Sequence, residues 1–80
     1  MAVKLVFLGR LADLAGAPER EVAAPLDWSG LLDAVQGDLG GWVASDKVRL
    51  AVNGTVVADK LALRANDGDE VALLPPVSGG

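Results

Sequence analysis

Two stretches of the chain, one near each end, alternate their side chains between two faces in the way that β-strands require. Residues 3–8 place three apolar side chains on one face: Val3, Leu5 and Phe7. Residues 70–74 place Val71 and Leu73 on one face. Both stretches are almost continuously apolar, which is typical of parallel strands that are covered on both sides. We therefore expect the first and last strands to lie side by side, and parallel, at the centre of a sheet.

The longest helical pattern covers residues 28–39. Its apolar residues follow a spacing of i, i+3, i+4, i+7 and i+11, which forms a one-sided stripe: Trp28, Leu31, Leu32, Val35 and Leu39. Asp27 precedes the pattern and suits the N-cap role, since its carboxylate can accept from unpaired backbone N–H groups. The pair Gly40-Gly41 is expected to end the helix. The pattern predicts one main helix that is held by packing of its stripe.

Short strands and tight turns account for most of the remaining chain. After about one helical turn around Leu11, residues 20–24 are expected to return as a second strand beside the first. Residues 48–57 hold an alternating strand, the Asn53-Gly54 signal of a type I′ hairpin, and a short returning strand. Residues 66–69 predict a second turn, because Asp side chains accept from local backbone N–H groups. We prefer this turn to a metal site, because no further ligands cluster nearby in sequence.

The order of elements is therefore strand, strand, helix, strand, short strand, strand. A hairpin, a crossing helix and a strand that returns beside the first make an α+β domain. This is the order of a β-grasp, or ubiquitin-like, fold: a mixed sheet with one main helix packed on one face. We expect the domain to cover residues 1–74. Residues 75–80 should form an extended C-terminal tail, because Pro75 and Pro76 favour a conformation of about 3.1 Å per residue.

Composition removes several functional classes. The 80 residues suffice for one domain, and 51% of them are hydrophobic. The chain has no Cys and no His, so it lacks a thiolate nucleophile, the commonest general base and the commonest metal ligand. A net charge of −4 disfavours nucleic acid and anionic membranes as partners. The sequence shows no long apolar run and no pattern of a signal peptide, so we expect a cytoplasmic protein.

The C-terminal diglycine is the distinctive chemical feature. Gly79 and Gly80 follow a stiff proline spacer, and two glycines make a peptide narrow enough to enter a partner's channel. The carboxylate of Gly80 becomes reactive once it is activated, for example as an acyl-adenylate. It can then accept sulfur and become a thiocarboxylate, a nucleophile that requires no Cys. The sequence therefore predicts a sulfur carrier in which Gly80 reacts and Gly79 fits the partner's channel.

Four segments resemble the small subunits of molybdopterin synthase, and together the likeness covers essentially the whole chain. They are VFLGRLADLAG at 6–16, LAVNG at 50–54, DGDEV at 67–71 and LPPVSGG at 74–80. The last segment is the most specific. Two departures are visible: Ala12 stands where many members carry a second Arg, and Leu74 stands where many carry Phe.

The resemblance implies a cycle that depends on two partner proteins. An ATP-dependent activating enzyme adenylates Gly80, and a sulfurtransferase system converts it to the thiocarboxylate. The tail then enters the large synthase subunit, which converts cyclic pyranopterin monophosphate into molybdopterin. In this family two large subunits form a dimer with a small subunit at each end, and the catalytic Lys and Arg residues belong to the large subunit. The chain itself would be a non-catalytic sulfur donor that binds no metal or cofactor, and ATP would be used by the activating enzyme.

Three alternatives remain open at this point. The chain could carry sulfur for thiamine, cysteine or tRNA thiolation, since those carriers share the fold and the terminal diglycine. It could instead be a protein modifier that is conjugated through Gly80 to lysines of other proteins. It could also be a β-grasp interaction module whose tail is accidental, since the fold hosts many functions.

The outward face of the sheet is the predicted partner interface. If Val3, Leu5 and Phe7 face the helix, the other side chains of the two central strands form an apolar patch at the root of the tail. The residues expected to bind the partner are those of the patch and of the tail after it: Val6, Leu8, Ala72, Leu74, Pro75, Pro76 and Val77. The alternative is that another segment of this chain covers the patch. Lys60 is predicted to be a simple surface charge, and Arg10 is a candidate for contact with an acidic partner.

Overall fold

Seven strands and three short helices form within residues 1–76, the part of the chain that a computed structural model describes. In chain order they are β1 (Ala2–Phe7), α1 (Arg10–Ala15), β2 (Glu19–Ala23), β3 (Leu26–Asp27), α2 (Trp28–Ala34), α3 (Asp38–Ala44), β4 (Arg49–Val52), β5 (Thr55–Val56), a 3₁₀ turn (Lys60–Ala62), β6 (Arg64–Ala65) and β7 (Glu70–Leu74). Within this range, no helix has the length and apolar character that are needed to cross a membrane.

The main sheet has five strands in the order β2-β1-β7-β4-β5. Strands β1 and β7 are adjacent and parallel, with Leu5 opposite Val71 and Phe7 opposite Leu73. This confirms the prediction from the alternating patterns. The inward residues of these strands are almost completely buried and form the centre of the core: Val3, Leu5, Phe7, Val71 and Leu73. The mixed sheet with helices on one face confirms the predicted α+β, β-grasp architecture.

Both predicted turns form, and their geometry explains the residues that occupy them. Asn53 and Gly54 link β4 to β5 with positive φ angles of 50° and 87°, which the type I′ hairpin requires. In the second turn, Asp69 accepts a hydrogen bond from the backbone N–H of Asn66 at 2.8 Å through its carboxylate. Gly68, with φ of 88°, allows the chain to reverse there. The interpretation of Asp69 as a turn former is confirmed, whereas the carboxylate of Asp67 accepts from the distant N–H of Ala2 and not from a local one.

The prediction of one main helix at residues 28–39 is wrong, because the chain makes two short helices there. Asp27 caps α2 as expected, accepting from the N–H of Gly30 at 2.8 Å. Val35 then leaves the helical conformation, and Gly37 adopts a φ of 74° before α3 begins. The pair Gly40-Gly41 lies inside α3 and does not end a helix. The apolar stripe nevertheless packs on a single core, since Val35 is fully buried between the two helices.

Two very short strands were not predicted. Strand β3 pairs antiparallel with β6, with Leu26 opposite Ala65, and forms a separate two-stranded sheet. Both of these residues are buried in the core, so the small sheet fastens the segment before α2 to the segment before β7. Each strand has two residues. That length is too short for an alternating pattern to indicate a strand.

Candidate functional site

An apolar row crosses the outward face of the main sheet. Val6 in β1 lies opposite Ala72 in β7, Ala72 lies opposite Ala51 in β4, and Ala51 lies opposite Val56 in β5. Val56 is 52% exposed, whereas Ala51 is buried beneath its neighbours. The row is longer than the predicted patch. It also includes Ala51 in β4 and Val56 in β5, which the sequence analysis did not assign to the patch. The alternation of Leu50 with Ala51 could have identified Ala51.

The predicted patch continues toward the root of the tail. Leu74, the last residue of β7, lies directly opposite Arg49 in β4, and Leu8 follows the end of β1. Leu8 is 40% exposed, while Val6, Ala72 and Leu74 are half-buried. The structure thus brings the four predicted residues together on the outward face. All four retain some solvent exposure, so no described segment covers the patch completely.

A groove of about 220 Å³ lies on the helix side of the tail root. It is lined by residues from α1, α3 and the end of β7: Arg10, Leu11, Trp42, Pro75 and Pro76. The guanidinium carbon of Arg10 lies 5.7 Å from the centre of the Trp42 ring, which is the geometry of a cation–π contact. Pro75 packs close to the backbone of Gly9, since a methyl group at Gly9 would lie 3.5 Å from the Cγ of Pro75.

The reactive end of the predicted tail lies outside the described residues. This applies to Val77, Gly79 and Gly80, so the roles predicted for them stay predictions. Of the two prolines, Pro75 is half-buried against the groove and Pro76 is exposed. The described part of the site is therefore the surface around the tail root: the outward patch, the groove and the two prolines.

A hydrogen-bonded network closes the opposite end of β7. The side-chain amide of Asn53 donates to Asp69 at 3.0 Å, and its oxygen accepts from the N–H of Glu70 at 3.0 Å. The backbone N–H of Asn66 and the amide of Asn53 hold the pKa of the Asp69 carboxyl below its ordinary value of 3.8. Asp67 accepts from the N–H of Ala2 at 2.8 Å, which ties β1 to the same turn. The side chains at this end of the sheet therefore serve to hold β1, β7 and the two turns together.

Lys60 is not the simple surface charge that the sequence indicated. Its ammonium group donates to three backbone carbonyl oxygens: those of Val43 at 2.8 Å, Val48 at 2.9 Å, and Ser45. It also lies 5.5 Å from the centre of the Trp28 ring. Desolvation lowers the pKa of Lys60 below its ordinary value of 10.5 and Arg49 adds to this, whereas Asp46 opposes it. Lys60 therefore fastens the end of α3 to the 3₁₀ turn.

Metal-binding geometry was also sought among the acidic side chains. Within residues 1–76, no group of three or more Asp or Glu side chains is placed to hold a metal ion. A cavity of about 450 Å³ lies against α3 and has a mixed lining: Leu14, Gly37, Asp38, Gly41, Trp42, Ser45 and Lys47. Its side chains of opposite charge, Asp38 and Lys47, do not form a consistent site for one type of ion.

Comparison with known proteins identifies the family. The model of the ThiS family matches residues 5–80, which is nearly the whole chain. The chain belongs to the ThiS family. A relative from Escherichia coli (strain K12), the molybdopterin synthase sulfur carrier subunit, is 38% identical over 82 residues, covering 98% of this chain and 99% of the relative. These findings confirm the resemblance that was carried by the four sequence segments.

Solved structures of similar proteins support the same family. A molybdopterin-converting factor complex of subunits 1 and 2 from Helicobacter pylori 26695 contains a chain that is 29% identical, with a TM-score of 0.69 and full coverage of both chains at 100%. The small archaeal modifier protein 1 of Haloferax volcanii is also 29% identical, with a TM-score of 0.73 and 100% coverage of each chain. The proteins of similar structure thus include one named as a molybdopterin-converting factor subunit and one named as a protein modifier.

Proposed function

We propose that the chain is the sulfur-carrier subunit of a molybdopterin synthase, and that Gly80 carries the sulfur. An ATP-dependent enzyme adenylates the carboxylate of Gly80, and sulfur then replaces an oxygen to form the thiocarboxylate. The large synthase subunit receives the tail, and the sulfur passes to cyclic pyranopterin monophosphate. The chain binds no cofactor in this cycle. Its own contribution is the docking surface and a narrow, activated terminus.

The similarity to the Escherichia coli carrier is the observation that carries the proposal. It covers 98% of this chain and 99% of that relative, and the match to the family model runs from residue 5 through the diglycine to residue 80. The complex from Helicobacter pylori supports a large-subunit partner, because it joins subunits 1 and 2 of a molybdopterin-converting factor. The position of the outward patch at the root of the tail agrees with this role.

The surface around the tail root can guide the tail into a partner. Strand β7 is held on both sides by β1 and β4, so Pro75 leaves a rigid sheet. Leu74 is half-buried, and completing the burial of such a side chain in an interface contributes up to about 1.5–3 kcal/mol. Val6, Ala72 and Leu8 extend the same contact. A rigid docking surface reduces the entropy that the short tail must lose when it binds.

Changes at the terminus test this proposal. Deleting Gly80, or extending the chain beyond it, is expected to abolish molybdopterin formation with the large subunit, the activating enzyme, ATP and a sulfur source. The melting temperature should hardly change, because the domain core is made within residues 1–74. Gly79→Ala should be milder, since it alters fit in the channel and leaves the carboxylate intact. An extended variant that is uncleaved and fully active would contradict the proposal.

Protein modification is the second candidate function. The observation that favours it is the fold similarity to small archaeal modifier protein 1, with a TM-score of 0.73 over both whole chains. In that role the activated Gly80 would form an isopeptide bond with a lysine of another protein. A branched peptide that links Gly80 to a target lysine, found by mass spectrometry of cell extract, would support this function. Its absence from cells that make molybdopterin with the chain would favour the carrier.

A further inference from the structure

Two arginines stand beside the root of the tail, one on each side of the sheet. Arg10 begins α1 on the helix side and lies over the ring of Trp42. Arg49 begins β4 directly opposite Leu74, and it alternates with the buried Leu50, which places it on the outward face. Both arginines are exposed. Strand β7 therefore leaves the sheet between two cationic side chains.

Within residues 1–76, neither guanidinium group forms an ion pair or donates a hydrogen bond, and Arg10 makes only its cation–π contact with Trp42. Within residues 1–76, the ion pair that forms joins Lys4 to Glu19 at 3.7 Å. The arginine that donates hydrogen bonds in this range is Arg20, whose guanidinium reaches the carbonyl of Ala34 at 2.7 Å. A guanidinium carries five N–H donors in a planar fork that matches a carboxylate. Among the described residues, the N–H donors of Arg10 and Arg49 have no acceptor, so they are suited to a carboxylate of a bound partner.

The charge pattern along β7 makes these arginines distinctive. The chain carries a net charge of −4, and the end of β7 far from the tail holds Asp67, Asp69 and Glu70. The tail end instead presents the two arginines, and the carboxylates near Arg49 are those of Asp46 and Asp59, which line a cavity with it. Asp13 lies one helical turn from Arg10 but forms no ion pair with it in the described structure. An acidic protein with two exposed arginines beside the root of its tail is suited to bind a partner protein whose surface carries carboxylates at the matching positions.

We propose that the large synthase subunit presents carboxylates on both sides of the entrance for the tail, and that Arg10 and Arg49 pair with them. This inference rests on the proposed function and adds the chemistry of the docking surface. Trp42 holds the guanidinium of Arg10 beside an apolar groove that includes Leu11 and Pro75. A partner side chain can therefore bury an apolar stem in the groove while its carboxylate binds the edge of the guanidinium.

Binding of single variants to the large subunit from the same organism tests the inference. Arg10→Gln and Arg49→Gln are each expected to weaken binding about tenfold, as measured by isothermal titration calorimetry. Each variant should also show a shallower loss of affinity with added salt, because an interfacial charge pair is screened by salt. Arg10→Lys should bind with intermediate affinity, because it keeps the charge and loses the fork. Thermal melts confirm that each variant is folded.

Arg64→Gln is the matched control. Arg64 is exposed and lies on β6 in the separate two-stranded sheet, and the substitution changes the net charge by the same amount. It is expected to bind like the unmodified chain. Unchanged affinity in both tail-root variants would overturn the inference, as would an equal loss in Arg64→Gln, which would indicate a general charge effect. Failure of the unmodified chain to bind the large subunit would instead overturn the proposed function, and the inference with it.

Discussion

Replacing Gly40 by Ala is expected to destabilise the domain, whereas the same change at Gly41 is expected to stabilise it. Both glycines lie inside α3. A methyl group at Gly40 would overlap the backbone carbonyl oxygen of Val35. That oxygen cannot rotate away, because Val35 is at the junction of α2 and α3 and its side chain is fully buried. A methyl group at Gly41 would meet no atom within 4 Å.

The expected magnitudes follow from these two environments. Ala is more favourable than Gly in a helix interior by about 1 kcal/mol, and Gly41 should show most of this gain. At Gly40 the same gain is opposed by overpacking, which costs about 1–3 kcal/mol in a well-packed core. The free energy of unfolding of Gly40→Ala should therefore lie about 1–3 kcal/mol below that of Gly41→Ala. Because both variants replace Gly by Ala, the effect of the substitution on the entropy of the unfolded chain is the same in each and drops out of the difference between them.

Urea unfolding followed by tryptophan fluorescence measures this difference. Trp28 and Trp42 report on α2 and α3 respectively, so both helices are monitored. A difference of 1 kcal/mol corresponds to about 4–8 °C in melting temperature for a domain of this size. If Gly40→Ala were as stable as Gly41→Ala, α3 would not approach Val35 closely. That result would refute the arrangement of two helices packed across the junction.

Three further substitutions test separate parts of the structure. Lys60→Met should lower the free energy of unfolding by about 1–3 kcal/mol, because three carbonyl oxygens lose their donor; a value within error of zero in urea titrations would exclude this fastening role. The lowered pKa of Asp69 stabilises the fold above the ordinary carboxyl pKa of 3.8, and the stabilisation is lost as the pH falls through the folded-state pKa. Asp69→Asn should therefore show a weaker loss of stability with acid than the unmodified chain, and identical acid titrations of the two proteins would contradict the assignment. Leu74→Asp should weaken binding to the large subunit at least about tenfold, or about 1.4 kcal/mol, with little loss of stability. Unchanged affinity in calorimetry would show that Leu74 is not part of the interface. A large fall in melting temperature would show that Leu74 belongs to the core.

The central sheet could be predicted because its signals are local. Residues 3–8 and 70–74 alternate their buried side chains, and the Asn53-Gly54 pair requires positive φ angles wherever it forms a tight turn. The same alternation predicted that Val6 and Ala72 lie on the outward face, where the structure places them. These features depend on residues that are close in sequence, so a single chain suffices to indicate them.

The break between α2 and α3 could not be read from the apolar stripe. Both helices bury their stripes in the same core, so the helical spacing continues through Val35 to Leu39 although the helix itself stops. The available signal was Gly37 followed by Asp38, a pair that suits a positive φ and then a new helix start. Apolar spacing identifies a buried face, and it does not show whether one helix or two provide that face.

The groove and the role of Lys60 depend on contacts between distant segments. Arg10 meets Trp42 only because α1 and α3 come together at the end of β7. Lys60 binds the carbonyl of Val43, seventeen residues earlier in the chain. No local pattern encodes such contacts, because they form only after the sheet has brought the segments together. The sequence therefore predicted the outward patch, and it predicts a reactive terminus at Gly80 outside the described residues, while the surroundings of the tail root required the structure.

The most direct test of the account is the intact mass of the chain after incubation with ATP, the activating enzyme and a sulfur source. The account predicts a gain equal to the difference in mass between sulfur and oxygen, localised to Gly80 by fragmentation. The gain should disappear on treatment with the large subunit and cyclic pyranopterin monophosphate, as molybdopterin forms. A chain that stays unmodified, or that appears only as conjugates to lysines of other proteins, would contradict the assignment of a sulfur carrier.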